Sequence, residues 1–238
     1  MSSDLDQALR VRQRARARRR NRRIAVTTAG VLVVAVLVWL VGFSPVFVVR
    51  DVEVTGLTRT SPDDVKAAAA VPSETPLARL DGDAIADRVE QLATIAGARI
   101  VRSWPGTVRI EVTERTAVYQ IAQADAYGQV DSEGVVFATS TDRAAAPVAV
   151  LADADDQDLR ADVATATSAL PQDLRDRLTS VNAGSVDSIS FLIDGAITIF
   201  WGSAEQSDEK ASVIGVLWSQ GGDYTNYDVS APSRPAVS

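Results

Sequence analysis

Among the 238 residues of this chain there is no cysteine and no histidine. Without cysteine no disulfide can staple the fold, so stability has to come from packing. The two absences together exclude Cys/His zinc sites, Ser-His-Asp triads and Cys-His nucleophile pairs. Lysine occurs only as Lys66 and Lys210, so nearly all positive charge is arginine. The net charge is −7, and it is unevenly spread. Nine arginines between Arg10 and Arg23 face only Asp4 and Asp6, and everything beyond them is strongly acidic.

What is present in quantity is one apolar run. Ile24 to Phe43 contains no charge and no proline. As a helix rising about 1.5 Å per residue it would span roughly 30 Å, the thickness of a bilayer core. Its anchoring side chains include Ile24, Val31, Leu32, Leu37 and Leu40, with Trp39 and Phe43 placed for an interfacial aromatic belt. Arginines packed before such a helix put the N-terminus in the cytoplasm and the acidic remainder outside. The run is longer than the apolar core of a cleaved signal and no A-x-A site precedes Pro45, so the expectation is an uncleaved signal anchor crossing once. The arginine arm would attract anionic lipid headgroups. No aromatic side chain interleaves with the arginines for base stacking, so nucleic acid is not the expected partner.

Beyond the anchor the spacing predicts an α+β ectodomain. Val48, Val52 and Val54 alternate with polar residues as in a half-buried strand ending at Gly56. Ser61-Pro62-Asp63-Asp64 reads as an N-cap, a proline at the first helical position and an acidic first turn. Asp81 or Asp83 can cap a second helix whose Ile85, Val89 and Leu92 form one apolar stripe opposite a solvent face of Asp87, Arg88 and Glu90. A strand from Ala98 to Arg102 leads into Ser103-Trp104-Pro105-Gly106, expected as a type II turn, after which Val108, Ile110 and Val112 alternate with polar residues. The order is strand, helix, helix, strand, strand.

The second stretch continues without a linker. Ala117 to Ile121 reads as a strand, Asp131 to Gly134 as a hairpin turn and Pro147 to Leu151 as a further strand. Asp153, Asp155, Asp156 and Asp158 suggest calcium, but Asp158 stands where a calcium loop needs glycine and Ala164 where it needs a bidentate Glu; the alternative is an acidic start for a helix from Leu159 to Leu170. Asp194-Gly195 between alternating apolar runs predicts a type I′ hairpin whose second strand is central. Ser207 is expected to cap a helix through Val213, Ile214, Leu217 and Trp218. Ser207-Asp208-Glu209-Lys210 also fits S-x-x-K, the nucleophile motif of penicillin-binding proteins, but no S-D-N or K-T-G accompanies it.

An arginine-rich arm, one apolar anchor and a β-α-α-β-β module resemble the bacterial cell-division FtsQ/DivIB family. The resemblance is carried by F-V-V-R-D-V-E-V-T-G at 47–56, V-R-S-W-P-G-T-V-R-I-E-V-T-E-R at 101–115 and D-S-E-G-V-V-F at 131–137. It implies a cytoplasmic arm (1–23), a transmembrane signal anchor (24–43), a POTRA domain (44–115), a mixed-sheet β domain with covering helices (116–231) and a tail (232–238). It also implies a scaffold at midcell with no cofactor, no metal, no small-molecule substrate and no catalysis. Its partners would be the coiled-coil proteins FtsB and FtsL and, through them, the septal synthases FtsW and FtsI. In the family the final strand and the residues just after it form an edge to which FtsB adds a strand. Carried over, that edge is Tyr227, Asp228, Val229, Ser230, Ala231, Pro232, Ser233 and Arg234. Pro232 and Pro235 lack an N–H, so a ladder there would have gaps. Two rival classes are a POTRA subunit of a transport or envelope-assembly machine, which would need tandem modules or a barrel, and a hydrolase using carboxylates alone, which would need two close acids.

Overall fold

The structure, a computed structural model, describes residues 25–40 and 42–238. The arginine arm, Ile24 and Val41 lie outside the described residues. Two compact units are present, one holding the described residues up to Gln91 with Gly97–Val112, the other Leu92–Ala96 with Thr113–Ser238.

In the first unit, residues 25–40 are helical and every one is exposed. Val31, Leu32, Leu37, Trp39, Leu40 and, just beyond, Phe43 are exposed apolar side chains, with Trp39 and Phe43 stacked at 6.2 Å. Among the described residues no helix is long and apolar enough to cross a membrane. After a 3₁₀ turn at Pro45–Phe47 come β1 (Asp51–Thr55), α1 (Pro62–Ala69), α2 (Gly82–Glu90), β2 (Ile95–Ser103) and β3 (Thr107–Glu114). Both helix starts arise from local chemistry: the Asp63 N–H donates to Ser61 Oγ at 3.2 Å and the Ala84 N–H to Asp81 Oδ1 at 3.1 Å. The sheet order is β1-β3-β2, with β1 parallel to β3 from Asp51 opposite Thr107 to Thr55 opposite Glu111. Val65, Ala69, Ile85, Val89, Val108, Ile110 and Val112 are buried, as the two periodicities require.

Two details differ from the sequence expectation. The Trp104–Pro105 peptide is cis and Gly106 does not take a positive φ, so the β2–β3 turn is not type II; a cis proline belongs to a different turn class. Arg88, expected in solvent, reaches across to α1, where its Nε and Nη2 donate to the Ala69 carbonyl at 3.1 and 2.6 Å. That carbonyl lies at the end of a helix and has no partner within it.

The second unit is a nine-stranded sheet in the order β12-β11-β10-β9-β8-β7-β4-β5-β6. Its strands are β4 (Tyr119–Gln123), β5 (Ala126–Val130), β6 (Val136–Ser140), β7 (Val148–Leu151), β8 (Leu178–Ala183), β9 (Ile189–Ile193), β10 (Ile197–Gly202), β11 (Asn226–Asp228) and β12 (Ala236–Val237). Parallel neighbours cannot be joined by a tight turn. Accordingly α3 (Gln157–Ala169) and α4 (Gln172–Arg175) carry the chain from β7 to β8, and α5 (Ser207–Gln220) from β10 to β11. Leu159, Val163 and Ala166 of α3 and Ile214 of α5 share one core with Tyr119, Val181, Phe191, Ile199 and Trp201. Val150 and Phe200 are exposed. The β9–β10 hairpin turns at Asp194 (φ 51°) and Gly195 (φ 72°), the doubly positive pair of a type I′ turn, and β10 is an interior strand.

Candidate partner-binding edge

The last strands form one end of the second sheet. β11 lies parallel to β10, Tyr227 opposite Ile199, and the Val229 N–H continues the ladder to the Phe200 carbonyl at 3.0 Å. Alternation sends Tyr227 and Val229 into the core, where Tyr227 meets the rings of Trp218 at 5.8 Å and Tyr224 at 6.1 Å. Their side chains are therefore not a contact surface. Asp228 faces solvent, and its Oδ1 accepts from the Ser230 N–H (3.0 Å) and Oγ–H (2.7 Å), an Asx turn that ends the strand. Ala231, Ser233 and Arg234 are exposed and Pro232 half-buried, in a turn closed by the Arg234 N–H on the Ala231 carbonyl at 2.9 Å.

The chain then returns. Residues 236–238 pair antiparallel to β11, Tyr227 opposite Val237 and Asp228 opposite Ala236. The Thr225 and Asn226 N–H groups both donate to the Ser238 carbonyl, and the Ser238 N–H to the Asn226 carbonyl, each at 3.0 Å. The outer side of β11 is thus occupied by the chain's own tail. Sequence reasoning left 232–238 outside any element, because an Ala-Val pair is too short for a periodic signal; β12 exists only because an open edge lies beside it.

At the start of the same unit, two of the sequence runs that carried the resemblance meet. Arg115, closing the 101–115 run, donates through Nη1 to Asp131 Oδ2 and to Glu133 Oε2 (2.8 Å), both in the D-S-E-G turn. Asp131 Oδ1 also accepts the Glu133 and Val135 N–H groups, each at 2.9 Å. The hydrogen bond to Glu133, ahead of the attraction of Asp131, holds the Arg115 guanidinium above its ordinary pKa. In the first unit, Val108 and Ile110 are buried, Gly106 is enclosed, and Trp104 and Pro105 are exposed at the hairpin tip.

Ser207 does not cap its helix. Gln206 holds the cap position in a left-handed conformation (φ 55°), while Ser207 Oγ donates to the Ala204 carbonyl at 2.7 Å and accepts the Trp201 indole N–H at 3.1 Å. Lys210 is buried and donates to the Ser203 carbonyl at 2.8 Å, and burial pushes its ammonium below the ordinary lysine pKa. The hydroxyl proton of Ser207 is given to a backbone carbonyl and not to Lys210. Beside them an open cavity of about 640 Å³ is lined by Ser132, Thr165, Ser168, Gln206, Asp208 and Glu209. Two carboxylates of the acidic run likewise hold backbone: Asp156 Oδ1 accepts the Asp158 and Leu159 N–H groups at 3.0 and 3.2 Å and Asp153 the Asp155 N–H at 2.9 Å.

Residues 47–115 match the family model described as POTRA domain, FtsQ-type, and residues 119–227 that of the C-terminal part of cell division protein FtsQ/DivIB. Cell division protein FtsQ of Streptomyces bingchenggensis is 34% identical over 209 residues, 84% of this chain and 79% of that protein. FtsQ of Mycolicibacterium smegmatis is 38% identical over 202 residues, 82% of this chain but 58% of the longer mycobacterial protein. The solved major extracytoplasmic domain of DivIB from Geobacillus stearothermophilus gives a TM-score of 0.37 at 13% identity, covering 45% of this chain and 93% of that one, too slight a likeness to bear on the fold. With both halves matched in order and identities above 30% over most of the chain, this protein belongs to the FtsQ/DivIB family of cell-division proteins.

Proposed function

We propose that this chain is a non-catalytic, bitopic scaffold of the division machinery, anchored by residues 24–43 with its N-terminus in the cytoplasm. Its domains would run 44–115 and 116–231, and it would act at the septum by binding FtsB and FtsL and, through them, FtsW and FtsI. The observation that supports this most directly is the short strand pair at the end of the second sheet. β11 is backed by a buried Tyr227 and Val229, so its backbone is rigidly presented, yet its outer side is covered only by a two-residue strand. Strand addition needs such an edge, with main-chain hydrogen bonds supplying affinity. The tail's ladder is only two residues long and a backbone hydrogen bond is worth about 1 kcal/mol net, so a partner strand of ordinary length can replace it. The backbone commitments of Ser207, Lys210, Asp153 and Asp156 support a scaffold over an enzyme.

The test is binding of FtsB to the full chain and to a variant lacking 236–238. A partner that displaces the tail binds the truncated chain more tightly, by about tenfold for 1.4 kcal/mol released. Unchanged binding would move the site away from β11, and loss of binding would show that the partner adds outside β12. Ser230→Pro removes the N–H that closes the Asx turn and is expected to weaken FtsB binding in the same assay, as is charge reversal by Asp228→Lys.

A further inference from the structure

Three separated stretches of the first unit converge where the helical run 25–40 ends. The Arg50 and Asp51 N–H groups both donate to the Gly106 carbonyl, at 2.8 and 3.3 Å, which pins the β2–β3 turn to the segment leaving the helix. Gly106 permits this approach, since a Cβ there would stand 3.0 Å from the Val48 carbonyl oxygen. Phe47 meets Trp104 edge to face at 5.4 Å. Val48 bridges to Pro76, and three residues further on Arg79 lays its guanidinium over the Phe43 ring at 3.9 Å.

The same spot collects this unit's uncovered apolar bulk. Outside residues 25–40, its exposed large hydrophobic side chains among the described residues are Phe43 (59%), Val46 (51%) and Trp104 (49%). Arg50 and Arg79, both exposed, stand beside them. Aromatic rings with an arginine at the end of an apolar helix suit the headgroup layer of a bilayer, where ring bodies are buried and cations meet lipid phosphate.

We propose that the Trp104–Pro105 tip, together with Phe43, Val46 and Arg79, is a second membrane contact that seats the first unit on the outer leaflet. The patch adjoins the exposed apolar surface of 25–40 through Phe43, which stacks on Trp39, and that contiguity favours lipid over a protein partner. The proposal rests on the reading of residues 24–43 as a membrane anchor. It makes the unit's attachment two-point, so that the module leans on the bilayer and does not swing from a single strand.

Because the chain has no cysteine, single labels can be placed cleanly. The full chain carrying an environment-sensitive fluorophore at Leu32→Cys, Ser103→Cys or Thr55→Cys would be reconstituted into phosphatidylglycerol–phosphatidylethanolamine vesicles with nitroxide lipids, bearing the quencher either deep or at the headgroup. Thr55 lies four residues along β1 from Asp51, on the order of 13 Å away from the tip, and serves as the aqueous reference. The expected result is Leu32 quenched by deep nitroxide, Ser103 quenched several-fold more by headgroup nitroxide than Thr55, and that Ser103 signal lost on Trp104→Ser but kept on Trp104→Tyr. Leu32 unquenched would overturn the anchor and this proposal with it. Leu32 quenched with Ser103 indistinguishable from Thr55 would overturn the second contact alone, as would a Ser103 label shielded from water yet insensitive to both nitroxides.

Discussion

Replacing Arg115 by alanine tests whether the meeting of the two motif runs is a structural necessity. The Arg115 side chain is 15% exposed and that of Asp131 only 5%, whereas Glu133 is 67% exposed. The Glu133 arm is a surface ion pair worth about 0 to 1 kcal/mol, while stranding a buried carboxylate costs about 3 to 5 kcal/mol. Asp131 would keep its two backbone N–H donors, which places the expected loss at the lower end, about 3 kcal/mol. For a unit of this size that corresponds to a fall in Tm of roughly 10 °C. Urea unfolding of the full chain in micelles reads the effect as a lower midpoint with an unchanged slope. Glu133→Ala in parallel is expected to move the midpoint by no more than about 1 kcal/mol equivalent. If Arg115→Ala cost no more than Glu133→Ala, the burial argument would be refuted and the contact would be no more than a surface pair.

Three further outcomes are expected. Tyr119 is buried with its hydroxyl donating to the Arg160 carbonyl at 3.0 Å, and burial raises its phenol pKa well above the ordinary value. A phenol raised on folding stabilises fully below its unfolded pKa of about 10 and loses that contribution as pH rises through the folded value. Stability should therefore fall above about pH 10 in the parent and less steeply in Tyr119→Phe, as followed by alkaline denaturation. Gly134→Ala places a Cβ 2.5 Å from the Ala161 N at φ 76°; a loss of at least about 2 kcal/mol is expected, and an unchanged midpoint would reject the contact. Asp156→Ala removes the acceptor for two N–H groups at the start of α3 and should cost about 1 kcal/mol, with Asp156→Asn recovering most of it.

Where a structural feature depends on neighbouring residues only, the linear chain announces it. Asp194-Gly195 specifies its turn through backbone conformations that these two residues tolerate, and the hairpin forms as expected. Ser61-Pro62 and Asp81 begin their helices because each cap is satisfied within three residues. The alternation of Val108, Ile110 and Val112 selects the buried face of β3 in the same local way.

Other features were decided across the fold. Ser207 has the composition of a cap, but the indole N–H of Trp201 needs an acceptor in the core, and that demand turns the hydroxyl inward and passes the cap position to Gln206. Pro105 and Gly106 are turn residues in any context; contact of the turn with Val48 and Arg50 sets which turn they make. The apolar run and most elements were legible because capping, turn chemistry and periodicity act over a few residues. The closure of β11 by Ala236 and Val237 was not, because an edge offers its hydrogen bonds only once β10 has fixed β11 in the sheet, and a two-residue strand has no other reason to form.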